Sequence, residues 1–270
     1  MSRATILVLT LLVSHAASAH EFWLQPEQFS WQPNESIPLS LLTGHGVESE
    51  RSKIPARRIL RLDAAGPSGQ TLDLRSNLHL GGVAGDAELT FGAPGAYVVV
   101  LATDNQARSD LPAERFNNYL RAEGLTPALT ARELTGRTYA EGSERYSRQA
   151  KAIVRVGAPG DQSQVTRPHG LRLEIVPEVS PYAVPRSSQL PVRVWFEGKP
   201  LPGALVKMSY LARGSEAVDS HITDADGRVV FDMPSQGHWL LHAAWTQPLP
   251  SADEADFDTV FASLTFGFAN

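Results

Sequence analysis

Apolar and polar positions alternate with a period of two over much of the chain, as where Val192, Val194 and Phe196 stand against Arg193, Trp195 and Glu197. Comparable runs fall at 37–42, 57–63, 87–91, 96–103, 171–176, 204–211, 228–232, 238–245 and 260–268, separated by Gly, Pro and Asp clusters. Short strands at that spacing predict antiparallel sheets packed as sandwiches. Residues 111–150 break the pattern. Pro112 suits a first helical turn, Phe116, Tyr119 and Leu120 share one helical face, and Gly124 is a suitable stop. Thr126-Pro127 opens a second short helix that ends near Gly136. The expected architecture is therefore mainly β, with two immunoglobulin-like sandwich domains. The first spans 20–165, carries an α-helical insert at about 111–150 and closes with a strand at 152–156; the second spans 166–270, after a Gly- and Pro-rich connection at 157–170.

Two segments, Ile37-Pro38-Leu39 and Leu190-Pro191-Val192, each open a strand after a polar turn. Gly95-Ala96-Tyr97 and Gly237-His238-Trp239 each follow a Pro-containing turn. Two related domains account for this echo, and so does similar turn chemistry arising independently.

The first 19 residues do not belong to the expected fold. They hold one arginine (Arg3), an apolar run from Ile6 to Val13 and the small-residue end Ala17-Ser18-Ala19, which is the pattern of a signal peptide cleaved after Ala19. The run is too short to span a bilayer. The expected product is an exported, periplasmic or secreted chain that begins at His20 and has no transmembrane segment.

Composition narrows the chemistry. With 24 basic and 29 acidic residues and a formal net charge of −5, no basic stripe favours nucleic acid. Zero cysteine and three methionines remove thiolate nucleophiles, disulfides and sulfur-rich metal sites, so any metal must be held by nitrogen and oxygen. Hydrolase elbows, zincin motifs and phosphate loops are absent from the sequence, and no enzyme class is predicted from motifs.

Histidine is the remaining resource: His20, His45, His79, His169, His221, His238 and His242 follow the expected cleavage point. Cleavage would give His20 a free α-amine beside its imidazole, and the two can chelate one cation in a six-membered ring. Both nitrogens shed protons near neutrality, and amine plus imidazole favours Cu(II) or Ni(II). His45, in the turn Thr43-Gly44-His45-Gly46, is the candidate third ligand. A strand from His20 to about Pro26, returning antiparallel through 37–42, brings 43–46 back beside His20. His238 and His242 are weaker metal candidates, because in a strand they lie about 13 Å apart. Asp224-Ala225-Asp226-Gly227 reads as a hairpin turn, since the bidentate glutamate of a calcium loop is missing. Asp253, Glu254, Asp256 and Asp258 read as a solvated acidic loop.

The blocks A-H-E-F-W-L-x-P at 19–26, L-P-A-E-R-F-x-x-Y-L-R-x-E-G-L at 111–125 and E-R-Y-S-R-x-A-K at 144–151 resemble the NikM-like exported domain family, as do G-K-P-L-P-G-A-L-V-K at 198–207 and T-D-A-D-G-R-V at 223–229. That family is named for a nickel-uptake substrate-specific component. The resemblance implies a second domain of transthyretin-like or carboxypeptidase-regulatory-like form, and a role in nickel or cobalt uptake. It places the family's leading histidine at His20. Two departures stand out: the membrane helices of some members are missing, and Trp245 stands where relatives often carry a further histidine.

The leading expectation is an exported binder of a divalent transition metal (nickel, cobalt or copper), accessory to uptake by a membrane transporter or outer-membrane receptor. A structural or adhesive sandwich that binds protein or glycan without metal is the main alternative. A copper oxidoreductase using the same N-terminal histidine is the third.

Overall fold

The structure, a computed structural model, describes residues 21–213, 217–250 and 254–268; the expected signal segment, His20 and Asp253 lie outside them. Among the described residues the chain is mainly β, with sheets packed face to face in the layering of an immunoglobulin-like sandwich and two added helices. One ten-stranded sheet runs through the middle. In spatial order its strands are Asp219–Ile222, Leu205–Tyr210, Gly237–Pro248, Phe257–Phe268, Gly142–Val156, Gly95–Thr103, Ile59–Ala65 and Thr71–Asp73, with Ser30–Trp31 and Ala107–Leu111 also paired to Gly142–Val156.

A smaller sheet covers each face. Glu21–Pro26, Ser36–His45, Glu48–Arg51 and Ala87–Thr90 form one cover, and Leu173–Pro177, Gln189–Phe196, Lys199–Pro200 and Arg228–Asp232 form the other. Alternation decides which side chains meet which cover. From Gly95–Thr103, Tyr97, Val99 and Leu101 enter the core with Phe22, Leu24, Leu39 and Leu41. From the same strand Ala96, Val98 and Val100 enter the opposite core, with Leu173, Ile175, Val192 and Val194.

The strand expected at 152–156 begins earlier, at Gly142, and pairs parallel with Phe257–Phe268. Its inner half was illegible as a strand because Ser147, Gln149 and Lys151 occupy alternate positions in place of apolar residues. All three are buried polar groups, so burial here does not follow hydrophobicity.

The two expected helices form α1 (Ala113–Ala122) and α2 (Thr126–Leu134). Phe116, Tyr119, Leu120, Leu125 and Ala128 pack on Ala244, Phe257 and Phe261 of the central sheet. Full burial of a side chain such as Phe116 stabilises by about 2–3 kcal/mol, which fixes the pair beside the first cover, on the same face of the central sheet. No helix among the described residues is long and apolar enough to cross a membrane.

Candidate functional site

Glu21–Pro26 alternates like the other strands. Phe22 and Leu24 point into the core, which turns Glu21, Trp23 and Gln25 the other way. Its antiparallel register sets Glu21 opposite Gly44. Gly44 has φ +136°, and a Cβ there would lie 2.4 Å from the Glu48 carbonyl oxygen, so only glycine lets the hairpin fold this tightly. His45 follows at the strand end, with Nδ1 4.0 Å from Glu21 Oε2. The expected return of 43–46 to the start of the first strand is therefore what forms.

Helix α1 brings a second carboxylate to the same region. Tyr119 and Glu123 sit four residues apart and share a face, and both are buried. Gly124, at φ +67°, would place a Cβ 2.6 Å from Leu205 Cβ. Glycine here allows the helix end to abut the strand Leu205–Tyr210. There Lys207 Nζ donates to Glu123 Oε1 at 2.8 Å.

The central sheet supplies the floor. Lys207, His242 and Ser263 are directly opposite one another across three adjacent strands, so their side chains share one face. His242 is 1% exposed. Neither of its ring nitrogens, nor the Ser263 hydroxyl, makes a hydrogen bond among the described residues. The Glu123 Oε2 oxygen is 3.6 Å from His242 Nδ1, beyond hydrogen-bond reach. A buried imidazole with two unmet nitrogens is costly, by about 1–3 kcal/mol for each group left unpaired.

Charge follows burial. Burial, helped by the Glu123 carboxylate and opposed by Lys207, pushes the Glu21 carboxyl up to about 7. Burial pushes His242 down to about 4; Glu123 opposes this, while Lys207 and His45 add to it. Glu21, His45, Glu123, Lys207 and His242 thus act on one another electrostatically. Beneath α1 the polar seam continues: Tyr119 and Thr259 both donate to Glu144 Oε2, at 3.0 and 2.6 Å. Burial raises Glu144 to about 7 against those two bonds.

Of the sequence-predicted residues, His45 and His242 lie near enough for the first to act electrostatically on the second. His20 lies outside the described residues, one peptide bond before Glu21. His238 does not join them: it packs edge-on to Phe29 with ring centroids 4.8 Å apart and lines a separate cavity of about 280 Å³ with Trp23, Gln25 and Tyr210. Among the described residues no group of three or more His, Asp or Glu side chains is arranged to hold a metal ion. Of the expected acidic loop, Glu254 is exposed, Asp256 pairs with Arg137 at 2.5 Å, and Asp258 lies within the strand Phe257–Phe268 and pairs with Arg172 at 3.1 Å. Asp224 Oδ1 accepts from the backbone of Asp226 and Arg228, which closes the expected hairpin turn.

Sequence reasoning missed Glu21, Glu123 and Lys207. Glu123 carried a signal, because it lies on the apolar face of Phe116, Tyr119 and Leu120, where a solvated carboxylate does not belong. Lys207 carried none, since a lysine between Val206 and Met208 also reads as the wet side of a strand.

No curated protein matches the chain. Among solved structures, the D0-D1 domain of intimin is 13% identical, with 92% of this chain and 98% of that one covered and a TM-score of 0.22. A Salmonella alpha-2-macroglobulin reacted with methylamine is 12% identical over 91% of this chain and 15% of that one, with a TM-score of 0.25. Likenesses this distant carry no argument. A family model does match, over residues 17–247; it has no assigned function and lends nothing to the nickel or cobalt uptake that the resemblance implied. The chain belongs to the family described as Domain of unknown function (DUF4198).

Proposed function

We propose that this protein is an exported, periplasmic binder of a divalent transition metal (nickel, cobalt or copper), accessory to its uptake through a membrane transporter or outer-membrane receptor. After cleavage behind Ala19, His20 chelates through its α-amine and imidazole, with His45 and, more weakly, His242 as the further nitrogen ligands. The single observation that carries the reading is the buried His242 imidazole, neither of whose nitrogens makes a hydrogen bond among the described residues. It faces the region reached by Glu21 and His45, where the strand following His20 begins. A metal would supply the missing interaction and screen the two carboxylates; bound, it needs each imidazole neutral, and the lowered His242 already is.

The test is titration of Ni²⁺, Co²⁺ and Cu²⁺ into correctly processed protein and into a version with one extra N-terminal residue. The extra residue converts the amine to a peptide nitrogen, and affinity falls by about 100-fold or more as the chelate is lost. Equal affinities sink the role of the free amine. The alternative is a metal-free structural or adhesive module that binds protein or glycan. Wild-type protein that binds none of the three metals is the outcome that reading expects.

A further inference from the structure

A cavity of about 370 Å³ opens between α2, Ser143 at the start of the strand Gly142–Val156, and Leu249, Asp256 and Phe257. That volume is at the small end of small-molecule sites, which span about 300–1,000 Å³. Its walls are tied to one another, since the Leu249 N–H donates to the Asp256 carbonyl at 2.8 Å and the Asp256 N–H to the Ser143 carbonyl at 3.1 Å. The fold therefore builds the space before anything enters it.

Arg132 sets the charge of this cavity. It is 2% exposed, and its guanidinium lies over the Phe116 ring, 5.0 Å from the centroid. The acceptors it has are neutral: Asn117 Oδ1 takes Nε–H at 2.9 Å, the Ala140 carbonyl takes Nη2–H, and the Glu141 carbonyl stands 3.5 Å from Nη1, at the limit of hydrogen-bond reach. A guanidinium carries more N–H donors than these acceptors meet. Asp256 lines the same cavity, but its oxygens are committed, Oδ1 to Arg137 Nη1 and Oδ2 to the Ser143 backbone and hydroxyl. Burial pushes the Arg132 pKa down; Asp256 opposes this and Arg137 adds to it. A buried charge is ordinarily paired with an opposite one. Here, among the described residues, its only bonds are to neutral groups.

We infer that this cavity binds a small carboxylate with an apolar body: the carboxylate accepts from the Arg132 guanidinium, and the body packs on Leu249 and Phe257. Arg137, whose side chain is 51% exposed, adds a second positive charge at the wetter side. Glu254, the other acid on the lining, is exposed, so water and salt screen it. One buried guanidinium matches one negative charge, which favours a monocarboxylate over a phosphate. None of these residues belongs to the proposed metal site, so either reading can fail without the other.

The experiment is calorimetric titration of the processed full chain with benzoate and hexanoate, with their neutral amides benzamide and hexanamide, and with inorganic phosphate. At least one carboxylate binds once per chain with a dissociation constant of about 1 mM or below. Its amide binds about tenfold or more weakly, because the charge-assisted bond to Arg132 is lost. Two variants locate the site. Ala131→Leu, on the α2 surface that lines the cavity, fills the space, leaves every Arg132 bond in place and weakens binding about tenfold or more. Arg132→Lys keeps the charge and loses the planar fork, and it too binds more weakly. If the lysine variant fails to fold, Ala131→Leu and the amide comparison still decide.

Binding of neither carboxylate overturns the inference, as does an amide that binds as tightly as its acid or binding that Ala131→Leu leaves unchanged. Phosphate that binds as tightly as the better carboxylate overturns the apolar body as the feature recognised.

Discussion

The central sheet buries a polar cluster on each of its faces, and the two are resolved in opposite ways. On one face Lys151 Nζ lies 2.7 Å from Glu174 Oε1, with the two side chains 2% and 1% exposed. The Glu174 carboxylate also accepts from the backbone of His169 and Leu171. Although burial pushes Glu174 up, Lys151 and these donors hold its carboxyl below the ordinary range. On the other face Glu21 and Glu144 are both raised to about 7 by burial, and neither His242 nitrogen makes a hydrogen bond among the described residues. Similar depth gives a finished ion pair in one place and an unfinished site in the other. Folding alone explains the first cluster. The second retains a cost that folding had every chance to remove with an apolar side chain, and that retained cost points to a ligand.

The largest expected effect breaks the finished cluster. Lys151→Met strands the Glu174 carboxylate and lowers stability by about 3–5 kcal/mol, read as a lower urea midpoint at unchanged slope. A loss under about 1 kcal/mol would mean that the backbone donors alone satisfy Glu174.

The pH dependence separates the faces by sign. The Glu144 pKa is higher in the folded chain, at about 7, than its ordinary 4.5, so the folded state holds the extra proton between those values. Stability from this group is full below about 4.5 and is lost as pH rises through 7. Glu144→Gln removes the loss and gains roughly 2 kcal/mol over wild type at pH 8, with no gain at pH 4. Glu174 runs the other way, because its depressed pKa gives stability present above its ordinary pKa and lost as pH falls through the folded one. Urea midpoints of wild type and Glu144→Gln across pH 4–8 check the Glu144 loss, which a difference independent of pH contradicts; the Glu174 loss is read in the same way below pH 4.5.

The smallest effect on stability has the most diagnostic sign. His242→Phe replaces an unpaired imidazole with a ring that can stack on Phe261, as His242 does at a centroid distance of 6.3 Å. It stabilises the chain by about 1 kcal/mol. Destabilisation of that size would instead make His242 an ordinary structural residue.

The sheet carrying the second site was largely legible in the sequence. Runs such as 96–103 and 260–268 alternate cleanly and became Gly95–Thr103 and Phe257–Phe268. The hairpin that returns His45 to the first strand followed from antiparallel pairing and two glycines. What stayed hidden was contact across long sequence separation. Glu123 and Lys207 are joined by a helix end docking on a strand, and no local periodicity records which strand lies beneath a helix. The shared central sheet was hidden for the reason that Lys151 was: its strand buries Ser147, Gln149 and Lys151 on the alternate positions, and buried polar residues erase the pattern from which strands are read. Pairing with Glu174 and with the Arg172 backbone is what lets Lys151 and Gln149 lie inside, and the Ser147 hydroxyl is buried with no hydrogen bond among the described residues.

The central claim is that the unfinished cluster is finished by a metal. Its most direct test is a Ni²⁺ titration of the processed chain as wild type and as His242→Phe, followed by calorimetry. The expected result is one ion per wild-type chain and an affinity at least about 100-fold lower in the variant, even though the variant is the more stable protein. Equal affinity in the two proteins, or no binding by the wild type, contradicts it.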